Sequence, residues 1–326
     1  FAYSFQISDR GTDTTNGNND GLIQRGEDIC LTLFVKNIGK GVSEKTSISI
    51  KNVSEDEIFV KKGRDELEDL LPGETKSVDI QFSVKEHVSF NKFSMDVLIG
   101  ESTFGTYIID TISLNVEDEG DPDLLSRIPA KLKVIKDNTP VFSVRGQEES
   151  QITYLNRNTI LNSDGRIPDL FRVDLPSNKY GWISANNVEN EDIKRECNIE
   201  NIELLMQHIP PSIKINTQNL ELLSNLERIT LSGIVEDDKE VKSVYTYVNN
   251  DKVYFKSRNS EPQSKDTANK REENKVLINK LDFLTEIHLK DGPNTVTIVA
   301  RDNEDLITSE SLVITKINSS SKQDTI

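Results

Sequence analysis

The stretch from Asn16 to Glu27, NGNNDGLIQRGE, has the residue types and the spacing of a twelve-residue calcium loop. Such loops place oxygen ligands at the first, third, fifth, seventh and twelfth positions and a glycine at the sixth. A hard cation needs about six oxygens at about 2.4 Å. The sequence therefore predicts a Ca²⁺ site with ligands from Asn16, Asn18, Asp20, Leu22 through its carbonyl, and Glu27.

The loop departs from the calcium pattern at its first position, where Asn16 stands in place of the usual Asp. Its flanks also lack the pattern of two helices, and Asp9 or Asp13 would have to supply the missing negative oxygen. The alternative is a turn in which Asn and Gly adopt positive φ before a strand begins. The residues alone leave both interpretations open.

A second candidate site is the aromatic pair Tyr180 and Trp182 in YGWISANNV. Small β-barrels often bind peptides through exposed aromatic side chains in a groove, so this pair predicts binding of a peptide or a cell-wall fragment. The alternative is that Trp182 is a buried core residue.

The sequence lacks motifs that would indicate catalysis. The three histidines have no partner motif, and no G-x-S-x-G, H-E-x-x-H or C-x-x-C occurs. We interpret Asp237 and Asp238 as a charged turn after a strand, and Cys30 and Cys197 as isolated thiols. We therefore expect no catalytic activity from these residues, which leaves open whether a longer protein containing them is an enzyme.

Composition restricts the partners of the chain. Its net charge of -16 over 326 residues argues against nucleic acid, whose phosphates require a basic surface. No apolar run approaches the roughly 20 residues that cross a bilayer. Because the chain starts at Phe1 without Met or a signal peptide, we interpret it as part of a longer protein. We expect a protein or cell-envelope ligand.

Alternation of apolar and polar residues dominates the chain. In EDICLTLFVKN, for example, Ile29, Leu31, Leu33 and Val35 would share one side of a strand. The fold class is therefore all-β. We predict an Ig-like β-sandwich over 1–118, a small SH3-like barrel over 126–190, a helical linker over 191–210, a second Ig-like β-sandwich over 211–318 with a mobile insertion at 257–275, and a disordered tail at 319–326.

Turn and strand motifs carry three resemblances. NGNNDGLIQRGEDICLTLFVKNIGKG, with Asn37, Gly39 and Gly41, and LPGE at 71–74 resemble Ig-like domains of bacterial surface proteins. KLKVIKDNTPVFS and GWISANNV resemble a bacterial SH3-like domain, and LSGIVEDD with DGPNTVTIVARDN resembles a second Ig-like domain.

This order of modules resembles the region after the catalytic and PDZ domains of tail-specific (carboxyl-terminal processing) serine peptidases of predatory and social bacteria. The resemblance implies a periplasmic or cell-surface location and a non-catalytic binding, targeting or scaffold role. The peptidase Ser and Lys would lie outside this sequence. A free-standing adhesin-like or structural surface protein is the alternative.

If the Asn16–Glu27 loop binds calcium, a cation that binds only the folded state must raise the melting temperature. We expect binding in the range of extracellular modules, about 10⁻⁴ to 10⁻³ M. Thermal unfolding at increasing calcium measures this, with Asp20→Asn and Glu27→Gln as variants that remove charge and keep size. A wild-type melting curve unchanged by millimolar calcium would show that the loop is only a turn.

Overall fold

The structure is a computed structural model that describes residues 1–12, 15–54, 58–101, 106–118, 129–147, 150–176, 179–200, 202–218, 220–258 and 278–317. Within these residues the fold is all β, as the alternation predicts, with 25 strands. No described helix has the length and apolar character to cross a membrane. The strands form two compact units, Phe1–Val97 with Ile112–His208, and Leu98–Thr111 with Ile209–Ile326.

The first unit begins with a β-sandwich. One sheet has the order β1-β4-β8-β6 and the other the order β10-β9-β5-β7, and β2 pairs with β3 beside them. The strands are β1 (Ala2–Ser8), β2 (Arg10–Thr12), β3 (Thr15–Asn18), β4 (Asp28–Lys36), β5 (Ser43–Asn52), β6 (Ile58–Lys62), β7 (Arg64–Leu70), β8 (Thr75–Val84), β9 (Lys92–Glu101) and β10 (Thr106–Asn115).

The sandwich core forms where the apolar sides of the two sheets meet. In β4 the predicted side is buried, since Leu31, Leu33 and Val35 have no exposed surface. The rings of Phe82 in β8 and Phe93 in β9 pack edge to face, with centroids 5.6 Å apart. Such a pair contributes about 0.5–1.5 kcal/mol beyond the apolar area that it buries.

The motifs that resemble Ig-like domains meet in space. The buried Asn37 side chain donates to the carbonyls of Gly41 and Leu70, at 2.8 and 2.9 Å, and accepts the N–H of Gly39 at 2.9 Å. Its backbone also pairs with Gly73 and Glu74 of the LPGE turn. One asparagine therefore connects the two turns that flank β5 to β7.

The second part of the first unit is a small barrel-like sheet of seven strands in the order β13-β12-β16-β15-β14-β11-β17. Its core contains Leu132, Val141, Leu161 and Ile183, all without exposed surface. The strands are β11 (Ala130–Val134), β12 (Thr139–Phe142), β13 (Gln151–Leu155), β14 (Ile160–Ile167), β15 (Leu170–Leu175), β16 (Lys179–Ser184) and β17 (Val188–Asn190).

The helix predicted at 191–210 is wrong for the described part of that segment, which is extended with turns. Its apolar residues Ile199, Ile202 and Leu204 pack on the barrel core. Its backbone pairs with neighbouring strands instead of with itself, as in the hydrogen bonds from Leu205 to Ile152 and from His208 to Tyr3. Tertiary packing overrides a helical pattern that was only partial in the sequence.

The second unit contains a further sandwich. Its sheets have the orders β18-β20-β23 and β22-β21-β24-β25, with β19 beside β25. The part of β10 that belongs to this unit also pairs with β25, through Ile108 and Thr308. The strands are β18 (Ser212–Ile215), β19 (Leu223–Ser224), β20 (Arg228–Glu236), β21 (Val241–Val248), β22 (Asp251–Ser257), β23 (Lys280–His288), β24 (Gly292–Asp302) and β25 (Ile307–Lys316).

The hairpin predicted at VNNDKVYF is confirmed, since Asn249 and Asn250 join β21 to β22 with φ of 50° and 72°. Two consecutive positive φ values are typical of the turn that matches strand twist in a two-residue hairpin. The predicted insertion at 257–275 lies outside the described residues from 259 onward, as does the tail at 319–326. The predicted module boundaries stay predictions.

Candidate functional site

The Asn16–Glu27 loop is folded around the buried carboxylate of Asp9, which is 1% exposed. The two Asp9 oxygens accept the backbone N–H groups of Asp20 and Gly21, at 2.7 and 3.1 Å. Burial raises the pKa of Asp9, while these hydrogen bonds act against the rise. Because a buried carboxylate needs such donors, Asp9 determines the path of the loop.

Glu27 closes the other end of the loop in the same way. Its Oε1 accepts the N–H of Asn18 at 3.2 Å, and its Oε2 accepts the N–H of Gln24 at 3.0 Å. Burial and the nearby negative charge of Asp9 raise the pKa of Glu27 to about 7. Glu27 therefore takes up a proton near neutral pH in the folded protein.

The middle of the loop is held by side-chain to backbone hydrogen bonds. Asn18 Oδ1 accepts the N–H of Asp20 at 3.0 Å, and Asp20 Oδ1 accepts the N–H of Leu22 at 2.9 Å. Gln24 Nε2 donates to Asp20 Oδ2 at 3.2 Å. These local bonds are the turn chemistry that Asn and Asp provide.

The residues predicted as calcium ligands are only partly brought together. Asn18, Asp20 and Glu27 lie in one hydrogen-bonded network with Asp9, whereas Asn16 is exposed and Asp13 lies outside the described residues. The described part of the chain contains no group of three or more His, Cys, Asp or Glu arranged to hold a metal ion. Calcium binding at this loop stays a prediction.

The loop contacts the barrel through Gly21, which lies against Trp182. A Cβ built on Gly21 would come within 2.7 Å of the indole Cε2, and Gly21 has a φ of +83°. A side chain at this position would therefore meet both a clash and an unfavourable backbone conformation. Gly21 allows the loop backbone to lie directly on the indole ring.

Two arginines of the barrel complete this contact. Arg172 forms a two-bond ion pair with Asp164, at 2.9 and 2.7 Å, and its third nitrogen donates to Asn19 Oδ1 at 2.8 Å. Arg145 Nη1 donates to the backbone oxygen of Asp20 at 3.3 Å and lies 3.4 Å from its carboxylate. The planar guanidinium group suits such fixed geometry.

Strand β1 contacts the barrel beside the loop. Its outward Ser4 accepts from Lys179 Nζ at 3.2 Å, and its Gln6 Oε1 accepts from the backbone of Tyr180 at 3.3 Å. The Tyr180 hydroxyl donates to the carbonyl of Ile7. Tyr3 and Ile7 on the other side of β1 are buried, so one side of this strand packs in the sandwich and the other side hydrogen-bonds to the barrel. We call these contacts of β1 and the loop with the barrel the junction.

The exposed aromatic groove predicted at Trp182 is wrong. Trp182 is 1% exposed, and Tyr180 is partly buried with its hydroxyl bonded to β1. The alternative in the sequence analysis, a buried core residue, agrees with this position. The reason is the docked loop, which covers the indole with Gly21.

Sequence reasoning did not find Arg145 and Arg172 as partners of the loop. Arg145 is 125 residues from Asp20 along the chain, and Arg172 is 153 residues from Asn19. The glycine of the NDG turn and the single Trp of the chain are both visible in the sequence, but neither points to the other. Nothing in the local sequence links the two.

Comparisons with known proteins give little guidance. No protein-family model and no curated protein matches the sequence. Among solved structures, fibronectin(III)-like modules of CbhA from Clostridium thermocellum share 10% identity over 93% of each chain, with a TM-score of 0.23. The C-terminal domain of the AgI/II polypeptide BspA from Streptococcus agalactiae shares 10% identity over 95% of this chain and 99% of that chain, with a TM-score of 0.21.

A bacterial ice-binding adhesin structure shares 11% identity over 96% of each chain, with a TM-score of 0.19. TM-scores this low carry no argument about function. The all-β assignment therefore rests on the strand pairings of this chain.

Replacing Gly21 with alanine should destabilise the first unit by about 2–5 kcal/mol, because left-handed backbone strain and overpacking against Trp182 add. Gly73→Ala is the matched control, since Gly73 has a φ of +80° and open space at its Cβ. Urea unfolding followed by the fluorescence of the single Trp measures both losses. Equal losses in the two variants would contradict the packing of Gly21 on Trp182.

Wild-type stability should fall relative to Glu27→Gln as the pH rises from about 4.5 to 7.5. The folded-state pKa of Glu27, about 7, is above its usual value of 4.5, so the favourable contribution of protonation is complete at low pH and disappears as the pH rises through 7. Urea unfolding at several pH values measures the difference, with the exposed Glu44→Gln as control. A pH-independent difference between wild type and Glu27→Gln would refute this assignment.

Proposed function

We propose that this chain is a non-catalytic binding, targeting or scaffold region of a bacterial envelope protein, in which the first sandwich and the barrel act as one rigid element. The observation that carries the proposal is the junction, where Gly21 lies on Trp182 and buried polar groups connect the two parts. A rigid element of this kind holds two binding surfaces, or two neighbouring domains, at a fixed distance and angle.

The energetics of the junction support rigidity. A flexible linkage between two domains needs an interface that opens at little cost. Here, opening would expose Trp182 and leave the carboxylate of Asp20 without Arg145, which lies 3.4 Å away. It would also remove the Asn19 acceptor of Arg172. Buried polar groups that lose a partner cost about 1–3 kcal/mol each.

The finer proposal is that the chain is the accessory tail of a PDZ-containing tail-specific serine peptidase, located in the periplasm or at the cell surface. Its support is the order of Ig-like, SH3-like and Ig-like motifs in the sequence. The meeting of the Asn37 and LPGE motifs in one turn cluster is in keeping with the first Ig-like resemblance.

A free-standing adhesin-like or structural surface protein is the other candidate. The coding sequence upstream of Phe1 distinguishes the two. A domain with catalytic Ser and Lys supports the peptidase tail, whereas an anchor or repeated Ig-like modules supports the surface protein.

Calcium at the Asn16–Glu27 loop is a further part of the proposal. Asp9, Asp20 and Glu27 are three buried carboxylates in one network. Their oxygens are not arranged around a common point that could hold a metal ion in this structure, so a divalent cation would have to draw them together, and it would then reduce their mutual repulsion. The cation would have to compete with Arg145 for Asp20 and with the backbone N–H groups that these oxygens accept. Its role would be to stiffen the junction.

Nitroxide distance measurements test the rigid element. Labels at Lys51→Cys in β5 and Asn186→Cys in the barrel, with Cys30 and Cys197 changed to Ser, should give one narrow distance distribution. The control pair is Lys51→Cys with Glu86→Cys, both exposed on the sandwich. We expect the same width for both pairs, because the junction leaves no freedom between the two parts.

Adding Arg145→Ala and Arg172→Ala to the first labelled pair should broaden its distribution and leave that of the control pair unchanged. A broad or two-peaked distribution in the protein with both arginines intact would refute the proposal.

A further inference from the structure

A cleft of about 750 Å³ lies between the first sandwich and the barrel, inside the first unit. Its apolar lining includes Phe34 and Leu67 from the sandwich and Leu204 and Met206 from the segment that follows the barrel. Cavities of roughly 300–1,000 Å³ with apolar walls and few polar groups are typical of small-molecule sites. The volume of this cleft is within that range, whereas its lining is mixed, because charged and hydroxyl side chains stand beside the apolar ones.

The most buried charged residue in the lining of the cleft is Lys179. This lysine lines the cleft, yet it is only 4% exposed. Its Nζ donates to Ser4 Oγ at 3.2 Å and lies 3.8 Å from the centroid of the Phe34 ring. Ser4 in β1 and Phe34 in β4 are cross-strand partners, so both contacts come from neighbouring residues on the same face of the sheet.

These contacts do not neutralise the ammonium. A lysine has three N–H donors, and among the described residues only Ser4 accepts one of them. No described carboxylate forms an ion pair with Lys179, and burial alone lowers its pKa to about 8. A buried charge of this kind is costly unless it is paired. An anion in the cleft would pair with it.

The other charged groups of the cleft limit the charge of that anion. Lys76 already donates to the carbonyls of Glu68 and Asp69, at 2.6 and 3.2 Å. Glu200 and Glu203 line the wall formed by the segment after the barrel, and Lys36 lies on the sandwich side. Two carboxylates in the wall disfavour a multiply charged ligand such as a phosphate, which leaves a single negative charge.

We infer that the cleft binds a singly charged carboxylate that carries an apolar chain, with the Lys179 ammonium as its counter-ion. The carboxylate would accept the two N–H groups that have no acceptor among the described residues, and the chain would lie along Phe34, Leu67, Leu204 and Met206. This inference goes beyond the proposed scaffold role, and the nitroxide distances do not depend on it.

Titration calorimetry with octanoate, below its micelle concentration, and with neutral octanamide tests the inference. We expect octanoate to bind at least about tenfold more tightly at pH 6.5, since a buried charge pair separates the two ligands. Octanoate affinity should also fall about 30-fold between pH 6.5 and 9.5, because only the protonated amine binds the anion and its pKa is about 8.

Lys179→Met should abolish both the preference for octanoate and the pH dependence, whereas Lys179→Arg should keep the preference. Lys239→Met, an exposed lysine of the second unit, is the matched control. Melting curves establish that each variant is folded. If Lys179→Met does not fold, Leu204→Trp fills the apolar part of the cleft without changing the lysine, and it should weaken octanoate binding at least about tenfold.

A second arm identifies the source of the carboxylate. A hydrophobic tripeptide with a free carboxyl terminus, compared with its amidated form, distinguishes a peptide terminus from a fatty acid. Preference for either free acid over its neutral form supports the inference. Equal binding of acid and neutral forms, octanoate binding that persists in Lys179→Met, or no binding of any of these probes overturns it.

Discussion

The burial of Asp9 is the constraint on which the first unit depends. A carboxylate that is 1% exposed requires hydrogen-bond donors, and the donors here are the backbone N–H groups of Asp20 and Gly21. Those two bonds hold the NGNNDG turn back against the end of β1. The same geometry places Gly21 on Trp182 and the Asp20 carbonyl within reach of Arg145. One buried charge therefore sets the contact of the sandwich with the barrel.

The junction also explains why polar residues are buried in a region without an identified reaction. Carboxylates with a strongly shifted pKa often mark catalytic sites, and the pKa of Glu27, about 7, is shifted in this way. Its oxygens, however, accept backbone N–H groups of Asn18 and Gln24, so its contacts are those of a structural group. Burying these polar groups costs free energy, and in return they define one path for the loop. Buried polar groups have this role in some proteins.

The sequence was sufficient for strands and turns with strong local signals and insufficient for the contacts between distant elements. Alternation in β4 identified the buried side of that strand, and the Asn249-Asn250 pair identified a hairpin, because both signals are local. The loop also contained enough information to identify its turn residues. Its contacts with Arg145 and Arg172 depend on the packing of distant strands, which no local pattern encodes.

The two errors have related causes. The partial helical spacing of Ile199 and Ile202 was misleading because the barrel core accepts those side chains from an extended backbone. Trp182 looked available for a ligand because the glycine that covers it lies at the opposite end of the first unit's sequence. In both cases a non-local contact determined what the local pattern left open.

Native-state hydrogen exchange tests the central claim, that the sandwich and the barrel are one cooperative unit, most directly. The buried amides of Leu33 in β4 and Val173 in β15 report the two cores. If the junction couples them, both amides exchange with the same opening free energy and the same dependence on denaturant. Exchange of Val173 through a lower-energy opening that leaves Leu33 protected would contradict the account.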